Sequence, residues 1–219
     1  MNKIIKNLLL IFFLLIFLSS CIGVTADIQM RKDGSGRIIL EYRFSHIAET
    51  IGRLDGNEKW PLIPAGRADF ERTIGRIPGM KLVSFSSRGD SKNTVNKVTL
   101  DFKDTESLLK FLDPSGRRAF VSRENSVNKL HLTLSEGGSL SLNPDLLDLM
   151  KQTSAGYRIG ITFSSAGNST MTLTGGSGKE TTLPAAVEIV PSGKKVSLSI
   201  ETARILSITD GLGVVIGWE

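Results

Sequence analysis

From Val24 onward the chain is cut into short apolar–polar alternations by turn sequences: Asp33-Gly34-Ser35-Gly36, Gly89-Asp90, Glu124-Asn125 and Pro191-Ser192-Gly193. Glycine supplies positive φ at no steric cost, and Asp, Asn and Ser bond their own backbone, so each of these reverses the chain. Runs of this length and period read as strands. Val24 to Arg31 and Arg37 to Ser45 form a first hairpin, with Ile38, Leu40, Tyr42 and Phe44 or the alternate set facing the core. Met80 to Ser87 with Val95 to Phe102, and Arg117 to Arg123 with Val127 to Leu134, repeat the pattern. Tyr157 to Phe163 with Ser169 to Thr174 reads as a fourth strand pair, and Val187 to Val190 with Lys194 to Glu201 as another. Gly213 to Trp218 closes the chain as a strand expected to pair inside the sheet, because a free Val-Val-Ile edge invites aggregation.

Helices fall between the strand pairs. Over Ala65 to Ile77, Phe70, Thr73, Ile74 and Ile77 make one apolar stripe, which Pro78-Gly79 ends. Asp104 can cap a short helix through Leu112, stopped by Asp113-Pro114. Asn143-Pro144-Asp145 places a cap and then proline at the first position of a helix running to about Gln152. The expected fold is α+β: a mostly antiparallel sheet built from β-hairpins, with about three short helices packed on one face.

The first twenty residues differ in kind. Lys3 and Lys6 precede an unbroken run of Leu, Ile and Phe from Leu8 to Leu18, and Ser19-Ser20 leads to the only cysteine, Cys21. A transmembrane helix needs about 20 apolar residues, so this shorter run suits a signal h-region. The segment resembles a bacterial lipoprotein signal peptide, in which cleavage precedes the cysteine and the thiol receives a diacylglyceryl group, often with an amide-linked palmitate. Residues 1–20 are then the leader and 21–219 a single lipid-anchored domain. Two or more acyl chains anchor stably without a membrane helix. The expected location is the cell envelope, periplasmic or surface-facing. With almost no linker between Cys21 and the first strand, the domain sits close to the bilayer.

Charge and motif searches narrow the chemistry. Two of the 27 Lys and Arg residues lie in the leader, leaving 25 against 22 Asp and Glu, a net +3 that is no nucleic-acid footprint. With Cys21 lipidated, no thiol remains for a disulfide or metal. His46 and His131 lack ligand-spaced companions, so no metal or cofactor is expected. There is no G-x-S-x-G elbow. Gly175 to Glu180 has Glu180 where a phosphate loop needs Ser or Thr, and reads as an ordinary loop. The candidate ligand or membrane contacts are Trp60, Leu62 and Ile63, in a Trp-Pro-Leu-Ile-Pro loop, with the nearby Arg67, Arg72 and Arg76. Core-covering packing by the loop, and a solvated helix face with Arg67–Glu71 and Asp69–Arg72 pairs, are the plainer alternatives.

The lipobox, the strand–Asp33-Gly34-Ser35-Gly36–strand opening and the closing strand ending Gly217-Trp218 resemble a loose family of bacterial envelope lipoproteins, of the mycobacterial LppM type and relatives in spirochaetes. The resemblance implies an α+β envelope domain that contacts lipids, and it supplies no catalytic residues. The expected function is a non-catalytic binding or structural role in the envelope, with lipid as a ligand. The alternatives are a protein-interaction module of an envelope assembly or host-contact surface, and an enzyme without a recognisable motif acting on cell-wall polymer.

Overall fold

A computed structural model describes residues 22–46, 66–136, 156–175, 187–205 and 210–219, with single positions 148, 152, 154 and 208. The chain is mostly strand, in one mixed and one antiparallel sheet, with three helices among the described residues. Strand β1 (Ile22–Met30) pairs antiparallel with β2 (Gly36–Ser45), bringing Ile28 opposite Ile38 and Ala26 opposite Leu40. The alternation resolves as Ile38, Leu40, Tyr42 and Phe44 inward. The turn closes because Asp33 Oδ1 accepts from the Ser35 N–H (3.0 Å) and Oγ (2.7 Å), while Gly34 takes φ +82°. Gly36 has no substitute here: a Cβ would collide with the Gln29 carbonyl oxygen and with Phe102 Cζ.

Helix α1 (Arg67–Ile74) lies against β3 (Met80–Gly89). It is shorter than the expected Ala65 to Ile77. Pro78 disfavours α geometry for Ile77, and the Ile77 N–H closes a tighter turn on the Ile74 carbonyl at 2.9 Å. Phe70 is buried between Tyr42 and Phe85, its ring centroid 5.8 and 6.0 Å from theirs. Burial of such a ring contributes about 1.5–3 kcal/mol. A bulge makes this contact. Val83 is the extra residue between Leu82, opposite Leu100, and Ser84, opposite Thr99. Were the strand regular through Val83, Ser84 would face the core and Phe85 solvent.

Strand β4 (Asn93–Phe102) joins β3 to β2. Helix α2 (Thr105–Leu112) begins as expected at Asp104, whose Oδ1 accepts from the Ser107 N–H at 2.8 Å. Its Leu108 is fully buried. Asp113 ends α2 and organises the next loop by accepting from the N–H groups of Ser115, Arg118 and Ala119. Strands β5 (Ala119–Glu124) and β6 (Val127–Ser135) turn through Asn125 and Ser126, both at positive φ, as a tight two-residue connection requires.

Strands β7 (Arg158–Ser164) and β8 (Ser169–Gly175) correct the sequence reading. They are not paired with each other. β7 runs parallel to β1 in the larger sheet, and β8 joins the smaller sheet beside β11 (Leu212–Trp218). Both bury alternate residues, Ile161 and Phe163 on one and Met171 and Leu173 on the other. The short 165–168 connection lets those faces oppose each other across a sandwich instead of sharing one sheet. Ser169 pins the corner, its N–H donating to the Gly193 carbonyl and its Oγ to the Lys194 carbonyl.

Strands β9 (Val187–Ser192) and β10 (Lys195–Glu201) complete the larger sheet, ordered β3-β4-β2-β1-β7-β10-β9, and the short helix α3 (Thr202–Ile205) follows. The smaller sheet is ordered β5-β6-β11-β8, with the C-terminal strand inside it as expected. Two sheets thus replace the expected single one. Their inward side chains and Phe70 of α1 form one buried cluster. The expected helix at Asn143 to Gln152 lies outside the described residues, apart from positions 148 and 152.

Candidate functional site

Strand ends from distant parts of the chain meet at the edge where β1 begins. Ile22 lies opposite Phe44, β2 ends at Ser45 opposite Asn93, and the β3–β4 turn passes through Asp90 to Lys92. Because β7 is parallel to β1, it also starts here, and Tyr157 and Arg158 arrive at the same edge. An antiparallel β7 would have sent them to the opposite end.

These ends enclose a cleft of about 550 Å³ lined chiefly by Arg43, Ser45, His46, Lys92, Asn93 and Tyr157. The Tyr157 hydroxyl donates to Asn93 Oδ1 at 2.6 Å, and the His46 N–H donates to the Lys92 carbonyl at 3.0 Å. Asp90 Oδ1 accepts from the N–H groups of Lys92 (2.8 Å) and Asn93 (2.7 Å). Those backbone bonds, with the Arg43 charge adding to them, hold the Asp90 carboxyl below its usual range. Among the described residues the lining carries Arg43 and Lys92 as cations and no carboxylate. Two exposed cations with no carboxylate among the lining suit an anion.

The sequence-derived candidates lie elsewhere. Arg67 pairs with Glu71 at 2.8 Å and Arg72 with Asp69 at 3.0 Å, all on the exposed side of α1. Arg76 is exposed just beyond the helix. Pairs of this kind contribute about 0.3–0.5 kcal/mol, so this is the solvated face that the i,i+3 and i,i+4 spacing describes. Cys21, Trp60, Leu62 and Ile63 lie outside the described residues.

Sequence reasoning missed Arg43, Lys92, Asn93 and Tyr157. The turn at Gly89-Asp90 was visible, and alternation along β2 puts Arg43 opposite in sense to Tyr42. Nothing local brings position 157 to position 93, because that contact depends on the parallel β1–β7 register.

A second feature stands on the outer face of the smaller sheet. Phe120, 53% exposed, stacks on His131 with centroids 4.3 Å apart and planes 5° from parallel. Ser122 Oγ lies 2.9 Å from His131 Nε2. Burial, then the Lys129 charge, push the His131 pKa down, favouring the neutral ring. Gly213 and Val215 of β11 floor a groove of about 260 Å³ beside this stack. The result is a flat aromatic platform next to a shallow trough.

Among the described residues no three His, Cys, Asp or Glu side chains gather where a metal ion would be held. No helix among them is long and apolar enough to cross a membrane. No family model matches the chain, and no curated protein matches it.

Proposed function

We propose that this chain is an envelope lipoprotein, held on a bacterial membrane through acyl chains on Cys21, with a non-catalytic binding or structural role and envelope lipid as its ligand. The observation that carries the reading is the leader: Lys3, Lys6, the apolar run Leu8 to Leu18, and the sole cysteine directly after Ser19-Ser20. The resemblance to LppM-type lipoproteins supports it. The packing favours contact with lipid at a surface over an acyl chain held beneath α1, because Phe70, Tyr42 and Phe85 fill that space.

The test is metabolic labelling with palmitate in a bacterial host. The wild-type chain should incorporate label and partition with membranes. Cys21→Ala should lose both. A secreted, unlabelled wild-type product would sink the reading. A protein-interaction role is the second reading, favoured by the exposed Phe120–His131 stack. Loss of a cross-linked envelope partner on Phe120→Ser, with membrane attachment intact, would support it.

A further inference from the structure

The start of β1 and the cation-lined cleft share one edge of the larger sheet. Ile22, the first residue of β1, directly follows Cys21. Adjacent Cα atoms are about 3.8 Å apart, so an anchor at position 21 holds this edge against the headgroup layer. The Debye length at physiological ionic strength is about 8 Å, and a one-residue tether keeps nearby cations within that range.

We propose that this edge docks on anionic phospholipid headgroups of the anchoring membrane, with Arg43 and Lys92 at the cleft making the contact and the strands of the larger sheet pointing away from the bilayer. This rests on the lipoprotein reading above. The edge carries Arg43, Arg88, Lys92 and Arg158 as cations. The described carboxylates facing it are already engaged. Asp90 caps its own turn and lies near Arg43. Glu201 faces Arg158 at 3.7 Å. Arg43, Lys92 and Arg88 are exposed, whereas the Arg67 and Arg72 cations of α1 are spent on Glu71 and Asp69.

The test uses the full lipidated chain in vesicles of phosphatidylcholine alone and of phosphatidylcholine with phosphatidylglycerol. An amine-acylating reagent and mass spectrometry read each lysine. Lys92 should react about fivefold more slowly in the anionic vesicles, the scale set by one surface charge contact. Lys32 and Lys103, at the opposite end of the sheet, should react equally in both. High salt should abolish the Lys92 protection in the wild type, and so should Arg43→Glu. Equal Lys92 reactivity in both vesicles, with acyl mass present on Cys21, overturns the docking proposal and leaves the lipoprotein reading standing. A Cys21 peptide without acyl mass overturns both.

Discussion

Phe163 of β7 and Trp218 of β11 meet with ring centroids 5.3 Å apart and planes inclined by 45°, joining the larger sheet to the smaller across the core. Trp218→Ala should lower the unfolding free energy by about 3–5 kcal/mol. Because both sheets share one buried cluster, urea unfolding followed by circular dichroism should stay a single transition. Two separated transitions in the wild type would show that the sheets are independent.

Phe70→Ala should cost about 3–5 kcal/mol, since it empties the space between Tyr42 and Phe85. Phe70→Leu should cost less than about 1.5 kcal/mol. Hydrogen exchange should show extra opening of α1 and β3 before β6 and β11. Uniform loss of protection would argue against a local role.

Two glycines separate crowding from backbone preference. Gly36→Ala forces a methyl into Phe102 and the Gln29 carbonyl, and should cost about 3 kcal/mol or more. Gly193→Ala meets open space at φ +61°, and should cost only about 1–2 kcal/mol. Equal losses in a denaturant titration would refute the distinction.

Asp27 is on β1, on the larger sheet's outer face between Ile39 and Thr162, and its Oδ1 is buried without a hydrogen-bond partner among the described residues. Aspartate is a poor strand former, and an unmet buried acceptor is costly. Asp27→Thr should therefore raise stability by about 1 kcal/mol. A lower unfolding midpoint would mean that the carboxylate has a role of its own.

Strong acid should weaken the α2–β5 loop. Asp113 is held well below the ordinary carboxylate range by Ser115 and by the Arg118 and Ala119 N–H groups, against the opposing effect of burial. A depressed folded value means that its contribution is fully present above the unfolded value near 3.8 and is lost as pH falls through the folded one. Asp101, lowered by its bond from Arg37, acts in the same direction. Asp113→Asn should lower the melting temperature at neutral pH and flatten its fall below pH 4. An unchanged acid limb would exclude Asp113 as a contributor.

Local elements were legible because their signals are local. Asp104 begins α2 where a capping residue predicts, and the β2 alternation gives the buried face of the sheet. The division into two sheets was not legible, because alternation in β7 and β8 says which residues are buried and not which strand lies alongside. The bulge at Val83 is invisible for the same reason: a single inserted residue looks like a lapse in pattern until its partner strand is known. The cleft inherits that blindness, since three distant segments build it. Only the i,i+3 and i,i+4 pairs on α1 could be assigned from spacing alone.

The parallel β1–β7 pair also dictates an order of events during biosynthesis. Val24 must wait for Ile159, 135 positions later, before the middle of the larger sheet can close. Until then β1 has β2 on one side and an open hydrogen-bonding edge on the other. Closure that depends on such distant contacts is slow, and an unpaired edge is open to wrong partners. A chain built this way stays uncommitted until most of it has been delivered, and the β1 edge is where mispairing threatens until β7 arrives.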